Sequence, residues 1–176
     1  MENQKTQFFK MLGLTLVVVK NKEGKYLAVK EIANRGWWVA GGKVNPPESF
    51  HEAAIRETKE EGGIDIELKG ILKVEYSIRN ITNQRIVVVF YAEPKDENQK
   101  PKDTADDESE EARWLSLKEI EDLRDKPPGW RGYELYEWVK YVEEGGVIYP
   151  LSLLGMEGES VKLVKKEEVK TIEDLK

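Results

Sequence analysis

One stretch constrains this chain more than any other. Glu48 to Glu61 runs without glycine or proline, contains Ala53, Ala54 and many strong helix formers, and is bracketed by breakers on both sides. Gly41-Gly42 and Pro46-Pro47 precede it and Gly62-Gly63 follows it, which predicts one short helix over 48–61 closed by a glycine C-cap. The sequence around it reads mostly as strands. Leu14 to Val19 is a β-branched run, Asn21-Lys22-Glu23-Gly24 has turn chemistry and Tyr26 to Ile32 alternates, so residues 12–32 are expected as a β-hairpin. Trp37-Trp38-Val39 and Ala112 to Leu115 read as short strands, Ile64 to Ile78 as an alternating strand and Arg85 to Ala92 as a more buried one. Residues 93–111 are polar and are expected as a long loop. Leu117 to Leu123 and Gly132 to Glu144 read as helices, the second with Leu135, Trp138, Val139 and Val142 at helical spacing. The order β-β-β-α-β-β-β-α-α predicts an α/β (α+β) arrangement, a mixed β-sheet with helices packed on it. It is expected as one domain over 1–150, with 151–176 as a charged extension that forms an added helix, a strand or a flexible tail.

A chain of 176 residues buries a sufficient core without covalent staples. Its 28 Lys and Arg against 34 Asp and Glu give a net charge of −6, with His51 the single histidine. That balance suits neither DNA nor an anionic membrane and argues against a basic-patch nucleic-acid protein, while leaving room for a local anion site. The absence of cysteine excludes thiol nucleophiles, thiolate zinc, iron–sulfur clusters and disulfides. Residues 1–10 lack a signal peptide's apolar core and no apolar run approaches membrane-spanning length. The expected location is cytoplasmic, with no membrane partner.

On the bracketed helix, Glu57, Glu60 and Glu61 fall at i, i+3 and i+4 and share a face. Three like charges there repel, and the negative end of the helix dipole adds to the cost. A divalent cation among them offsets it: carboxylate oxygens suit Mg²⁺ or Mn²⁺, which keep several waters and share the rest of their coordination with phosphates. Arg56 reaches Glu52 or Glu60 one turn away and Glu48 across the loop, and is expected to fix the carboxylates rather than touch substrate. The plain alternative is a solvated, charge-rich surface helix. It leaves the glycine pairs and the acids at the disfavoured end unexplained. His51, with no second histidine, reads as a surface residue.

The pattern Gly42-x5-Glu48-x7-Arg56-Glu57-Thr58-x-Glu60-Glu61-x-Gly63-Ile64 resembles the Nudix box, with Thr58 where an aliphatic residue is usual. Trp37-x-Val39-Ala40-Gly41-Gly42 resembles the family's approach to the box, Ala40 replacing a frequent proline. Glu108-Ser109-Glu110-Glu111-Ala112-Arg113-Trp114-Leu115 resembles its second acidic loop ahead of a Trp-containing strand. The likeness covers residues 12–144 and implies the Nudix fold, a mixed β-sheet sandwiched between α-helices. It implies a Mg²⁺-dependent hydrolase that cleaves a diphosphate bond in a nucleoside diphosphate derivative by attack of water on phosphorus. Glu57, Glu60 and Glu61 become metal-binding carboxylates joined by the Gly41 carbonyl. Glu48 becomes the first glutamate of the box, supporting the metal site or its water, with Arg56 as its orienting partner.

The general base implied by the resemblance is a box glutamate or one from the later loop. Glu108 is chosen there, as base or extra ligand, by its spacing to Trp114, with Glu110 and Glu111 as alternatives. Tyr76, Arg79 and Arg85 at strand ends suit stacking a base or holding a phosphate, and Trp37 adjoins the site in sequence, so these four are the expected substrate contacts. Trp130, Arg131 and Tyr133 stand ahead of the last helix, where they can close over substrate. Two other readings remain beside the hydrolase: a Nudix-fold module that binds a nucleotide without cutting it, and a decapping-type enzyme acting on a capped RNA end. The intact trio of glutamates opposes the first and the acidic balance opposes the second. The substrate is not named by the box, and a monomer and a homodimer are equally open.

The acidity is unevenly placed. Residues 93–111 hold nine acids against three lysines, a local −6 that equals the whole excess. The charge is therefore concentrated where cations are expected, and a polyanionic substrate would arrive with its metal.

Overall fold

The computed structural model describes residues 9–160, so the expected extension lies outside the described residues beyond Ser160. Seven strands form two sheets. β1 (Lys10–Val19) is the hub of the first, flanked antiparallel by β4 (Ala40–Lys43) and parallel by β6 (Asn83–Pro94), with β5 (Ile66–Asn80) on the far side of β6. The second sheet places β2 (Tyr26–Glu31) between β3 (Gly36–Trp38) and β7 (Ser109–Leu115), all antiparallel.

The expected hairpin over 12–32 is corrected by this topology. The turn is present, with Gly24 N–H donating to the Asn21 carbonyl at 3.0 Å, but β1 and β2 share only the bridge Lys20–Tyr26 and then enter different sheets. β1 pairs instead with β4 and β6, and β2 with β3 and β7. β2 forms its hairpin with β3 instead, around a turn in which Ala33 and Asn34 both have φ of 57°.

Strand alternation divides the core. Leu16 and Val18 face one cluster with Tyr26, Trp37, Val39, Val89 and Tyr91, while Val17 and Val19 face another with Leu27, Val29, Ile71, Val88 and Phe90. The first cluster is covered by α2 (Leu117–Asp122) through Ile120 and by α3 (Glu134–Glu143) through Leu135, Val139 and Val142. The second is covered by α1 (Phe50–Gly62) through Ala54. Helices thus lie on both faces, the α+β sandwich expected from the element order. The double cover also explains why β1 and β6 carry unbroken apolar runs, since both faces of each strand are dry. Among the described residues no helix is long and apolar enough to cross a membrane.

α1 begins and ends as its sequence dictates. Ser49 is the N-cap of a capping box: its hydroxyl accepts from Glu52 N–H, and the Glu52 carboxylate accepts from Ser49 N–H at 2.8 Å. Gly63 closes the helix in the left-handed region, φ 74°, with its N–H on the Lys59 carbonyl. Both ends are therefore fixed, and the register of the acidic face between them is fixed with them.

Candidate functional site

A cleft of about 430 Å³ opens where the two sheets meet the C-terminal half of α1. Its floor is Gly41 and Gly42 on β4, and one side is Arg56, Glu57, Glu60 and Glu61 of α1. Lys43 and Asn45 after the glycines, Glu31, Ile32 and Arg35 at the β2–β3 turn, Asp107 and Glu108 before β7, and Arg131 before α3 complete it.

The carboxylates differ sharply in surroundings. Glu61 is buried, and its Oε2 accepts from Gly41 N–H at 2.9 Å. Burial, opposed by that hydrogen bond but reinforced by the negative charges of Glu57, Glu31 and Glu108, pushes its carboxyl up to about 8. Glu57 is also buried, and desolvation raises it despite its contact with Arg56. Glu60 stands at the open edge of the group. Glu57 lies so close over Gly42 that a Cβ at that position would collide with its carboxylate.

Arg56 binds the group together. Its Nε donates to Glu48 Oε1 at 2.5 Å and its Nη2 to Glu48 Oε2 at 3.0 Å; Nη1 donates to Glu57 at 2.8 Å and to Glu60 at 2.7 Å. Nη2 also donates to the Lys43 carbonyl at 3.0 Å, joining the helix to the loop after β4. These acceptors raise the guanidinium above its ordinary range, and Arg56 in turn holds Glu48 below the usual carboxylate range. Among the described residues, no three acidic or imidazole side chains stand close enough as arranged to enclose an ion. Glu57 and Glu60 lean on Arg56 for counter-charge. The donor set is nevertheless all-oxygen, and two of its members are buried acids whose ionisation is disfavoured by desolvation, which fits a hard divalent cation.

The connection is shorter than the expected loop, since β6 runs to Pro94 and β7 begins at Ser109, and residues 95–108 with the start of β7 dock on this end of α1. Lys102 N–H donates to the Gly62 carbonyl at 3.0 Å, its Nζ donates to the Glu60 carbonyl at 2.9 Å, and Ser109 Oγ donates to the Glu61 carbonyl at 2.7 Å. A lysine and a hydroxyl thus satisfy carbonyls that a helix C-terminus leaves open, and they offset the dipole that the acids oppose. Asp106 pins the loop internally, accepting from Lys102 Nζ and from the Glu108 and Ser109 N–H groups at 2.9 and 3.1 Å.

The sequence-predicted residues separate into two sets. Gly41, Arg56, Glu57, Glu60, Glu61 and Glu108 all line the cleft, and Glu48 adjoins it through Arg56. Glu110 and Glu111 turn to Lys30 and Arg113 instead, Glu110 at 2.8 Å from Lys30 and Glu111 at 2.7 Å from Arg113. Trp37 is a core residue, 3% exposed, with Arg113 over its ring at 5.2 Å. Tyr76, Arg79 and Arg85 line a separate depression on the β5–β6 face. Register sends two of them apart: Tyr76 pairs with Ile86 and Ser77 with Arg85, so Tyr76 and Arg85 project from opposite faces of the sheet.

Sequence reading missed Glu31, Ile32, Arg35, Asn45 and Asp107, all of which line the cleft. Glu31 carries a signal only in retrospect, as an acid that is buried although it follows Lys30 at the end of the strand.

A family model described as the NUDIX domain matches residues 13–139. No curated protein matches the sequence. Among solved structures, a NUDIX hydrolase from Nitrosomonas europaea superposes with TM-score 0.65 at 22% identity, covering 86% of this chain and 100% of that one. A MutT protein from Methanosarcina mazei Go1 gives 0.55 at 23%, covering 80% and 99%. A C. elegans Ap4A hydrolase gives 0.56 at 18%, covering 76% and 96%. At these identities the structural likeness speaks for the fold.

Proposed function

The chain belongs to the Nudix family, whose members hydrolyse pyrophosphate bonds, and from that membership we propose a cytoplasmic Mg²⁺-dependent enzyme that cleaves the diphosphate of a small nucleoside diphosphate derivative. One observation carries this reading: the box glutamates Glu57 and Glu61 are buried against the Gly41–Gly42 backbone, where desolvation disfavours their ionisation. A protein that only displayed a charged surface helix would leave such acids in water.

Glu57, Glu60 and Glu61, with the Gly41 carbonyl, would hold Mg²⁺ or Mn²⁺. Bound there, the ion supplies charge neutralisation of the diphosphate and a lowered pKa for the attacking water. Glu48 and Arg56 act on the carboxylates. Their paired hydrogen bonds fix the side of α1 from which Glu57 and Glu60 project, so the acids need little reorganisation when a ligand arrives. Glu108 is the general base of this proposal, taking the proton of water as it attacks phosphorus. It is preferred to Glu110 and Glu111 because it lines the cleft while they are ion-paired outside it. Arg85, whose buried Nε has no hydrogen-bond partner, is retained with Arg79 as a contact for the part of the substrate beyond the diphosphate, while Trp37, buried in the core, and Tyr76, on the other face of the sheet, are set aside.

The test is release of nucleoside monophosphate or phosphate from a panel of nucleoside diphosphate derivatives and dinucleoside polyphosphates, with Mg²⁺ and with EDTA. Wild type is expected to turn over at least one of them only with the metal, and Glu60→Gln and Glu61→Gln to lose that turnover by orders of magnitude. Binding of a nucleotide without cleavage of any would establish the non-catalytic module instead. Turnover by the Gln variants at the wild-type rate would remove the metal assignment.

A further inference from the structure

The β2–β3 side of the cleft contains a built cation that the box does not include. Arg131 Nη1 donates to Glu31 Oε1, and its guanidinium lies over the Trp38 ring at 3.9 Å. Trp38 is held in turn by its Nε1–H donating to Glu134 at 3.2 Å. The backbone beneath is equally fixed. Trp37 N–H donates to the Gly129 carbonyl at 2.9 Å and Arg131 N–H to the Trp37 carbonyl at 3.0 Å, so residues 129–131 lie along β3 through an isolated parallel bridge at Trp130. They can do so because residue 36 is glycine: with φ of 104°, any Cβ there would collide with the Arg131 and Trp130 backbone.

Glu31 is 5% exposed, a buried carboxylate whose Oε2 has no hydrogen bond and only Arg35 at 3.4 Å. A chain that wanted only a filled strand end would place an apolar residue here. A buried acid in contact with a one-third exposed arginine has another use, because it fixes the direction of a guanidinium. Among the described residues, Arg131 spends only Nη1 on its side-chain hydrogen bond, so Nε and Nη2 remain for a ligand in the cleft it lines. On α1 itself the cleft side chains are acids apart from Arg56, which is fully occupied by Glu48, Glu57 and Glu60, while Lys43 and Asn45 line the cleft from the segment after the glycines of β4. Lys43 and Arg35 also line the cleft, and Arg131 differs from them in being both hydrogen-bonded to Glu31 and stacked on Trp38, which suits it to the other phosphate of a diphosphate anchored to the α1 side through cations.

We propose that Arg131, aimed by Glu31 and stacked on Trp38, binds a non-bridging oxygen of the substrate phosphate that the α1 carboxylates do not reach, with Glu31 as its positioning residue. This inference rests on the hydrolase reading and names the second anchor of that substrate. The planar fork gives it a preference for two adjacent phosphate oxygens over a neutral group.

The probe is methylenediphosphonate, a non-hydrolysable diphosphate, titrated with Mg²⁺ into the full chain and followed by tryptophan fluorescence and calorimetry. Arg131→Met is expected to weaken binding by about tenfold to a hundredfold, the worth of a charge-assisted hydrogen-bond pair. Arg131→Lys should retain part of it, and added guanidinium below denaturing concentration should restore binding to Arg131→Met. Glu31→Gln should raise KM for the substrate identified in the panel more than it lowers kcat. Because Arg131→Met leaves a buried carboxylate without its partner, the double variant Glu31→Gln/Arg131→Met removes the pair together and should melt near wild type while binding as weakly as Arg131→Met. Wild-type binding by the double variant, or weakened binding that guanidinium does not restore, would overturn the inference. If wild type is active, Glu61→Gln is dead and Arg131→Met binds normally, only this inference falls. If wild type neither binds the diphosphonate nor cleaves any substrate, the hydrolase reading falls with it.

Discussion

The carboxylate of Glu57 occupies the space that a side chain at Gly42 would need. Gly42 lies on β4 opposite Thr15 of β1, in the sheet, while Glu57 reaches it from α1. The first glycine of the box is thus a seat for an acid. Gly42→Ala is expected to displace Glu57, to cost about 1–3 kcal/mol through overpacking, and to lower kcat on the order of a hundredfold. Circular-dichroism melts beside turnover assays check both effects; an Ala variant with wild-type turnover would show that Glu57 need not sit there.

Arg56 stands as internal counter-charge for Glu48, Glu57 and Glu60. Arg56→Ala should destabilise the metal-free protein by about 2 kcal/mol, the worth of its charge-assisted hydrogen bonds. The loss should shrink when Mg²⁺ is added, because the cation supplies the charge that the variant lacks. Thermal melts of wild type and variant in EDTA and in Mg²⁺ measure the difference, and equal losses in both buffers would contradict the exchange.

Loop docking is expected to respond to acid. Asp106 accepts from Lys102 and from two backbone N–H groups, which hold its carboxyl down at about 2. A carboxyl depressed in the folded state contributes stability above its unfolded value of 3.8 and loses that contribution as pH falls through about 2. Asp106→Asn should therefore destabilise the protein at pH 7, and the gap from wild type should close between pH 4 and 2. Urea melts across that window check the sign.

Gly36→Ala forces a Cβ into the backbone of residues 129–131 from a φ of 104°. It should cost more than about 1 kcal/mol and detach the strap that carries Arg131. Amide exchange at Trp37 and Arg131, whose N–H groups make the two bridging hydrogen bonds, reports the detachment directly.

Local chemistry was legible in the sequence, and convergence was not. α1 was expected over 48–61 and spans Phe50–Gly62, because capping Ser49 and left-handed Gly63 are decided by neighbours a few residues away. The long strands and α3 likewise begin and end near their sequence patterns. The β1–β2 hairpin failed because a turn fixes a reversal without fixing which sheet each strand joins. Glu31 and Arg131 escaped notice as a pair because 100 residues separate them, and neither has meaning without the other. Tyr76 and Arg85 group together by their place at strand ends, whereas the pleat sends them to opposite faces.

Val39 has a larger consequence than its size suggests. β3 ends at Trp38 in one sheet and β4 begins at Ala40 in the other, so a single buried residue carries the chain across the seam. Trp38, beneath Arg131, and Gly41, beneath Glu61, are therefore tied by a few covalent bonds at the bottom of the cleft. The crossing acts as a fixed gauge: the two flanks cannot separate at their base, however much their rims move. A bulkier substrate must be accommodated at the mouth, through the turn at 32–35 and the segment around Asp107. Exchanging those two segments should retune preference while leaving the acid seat as it is.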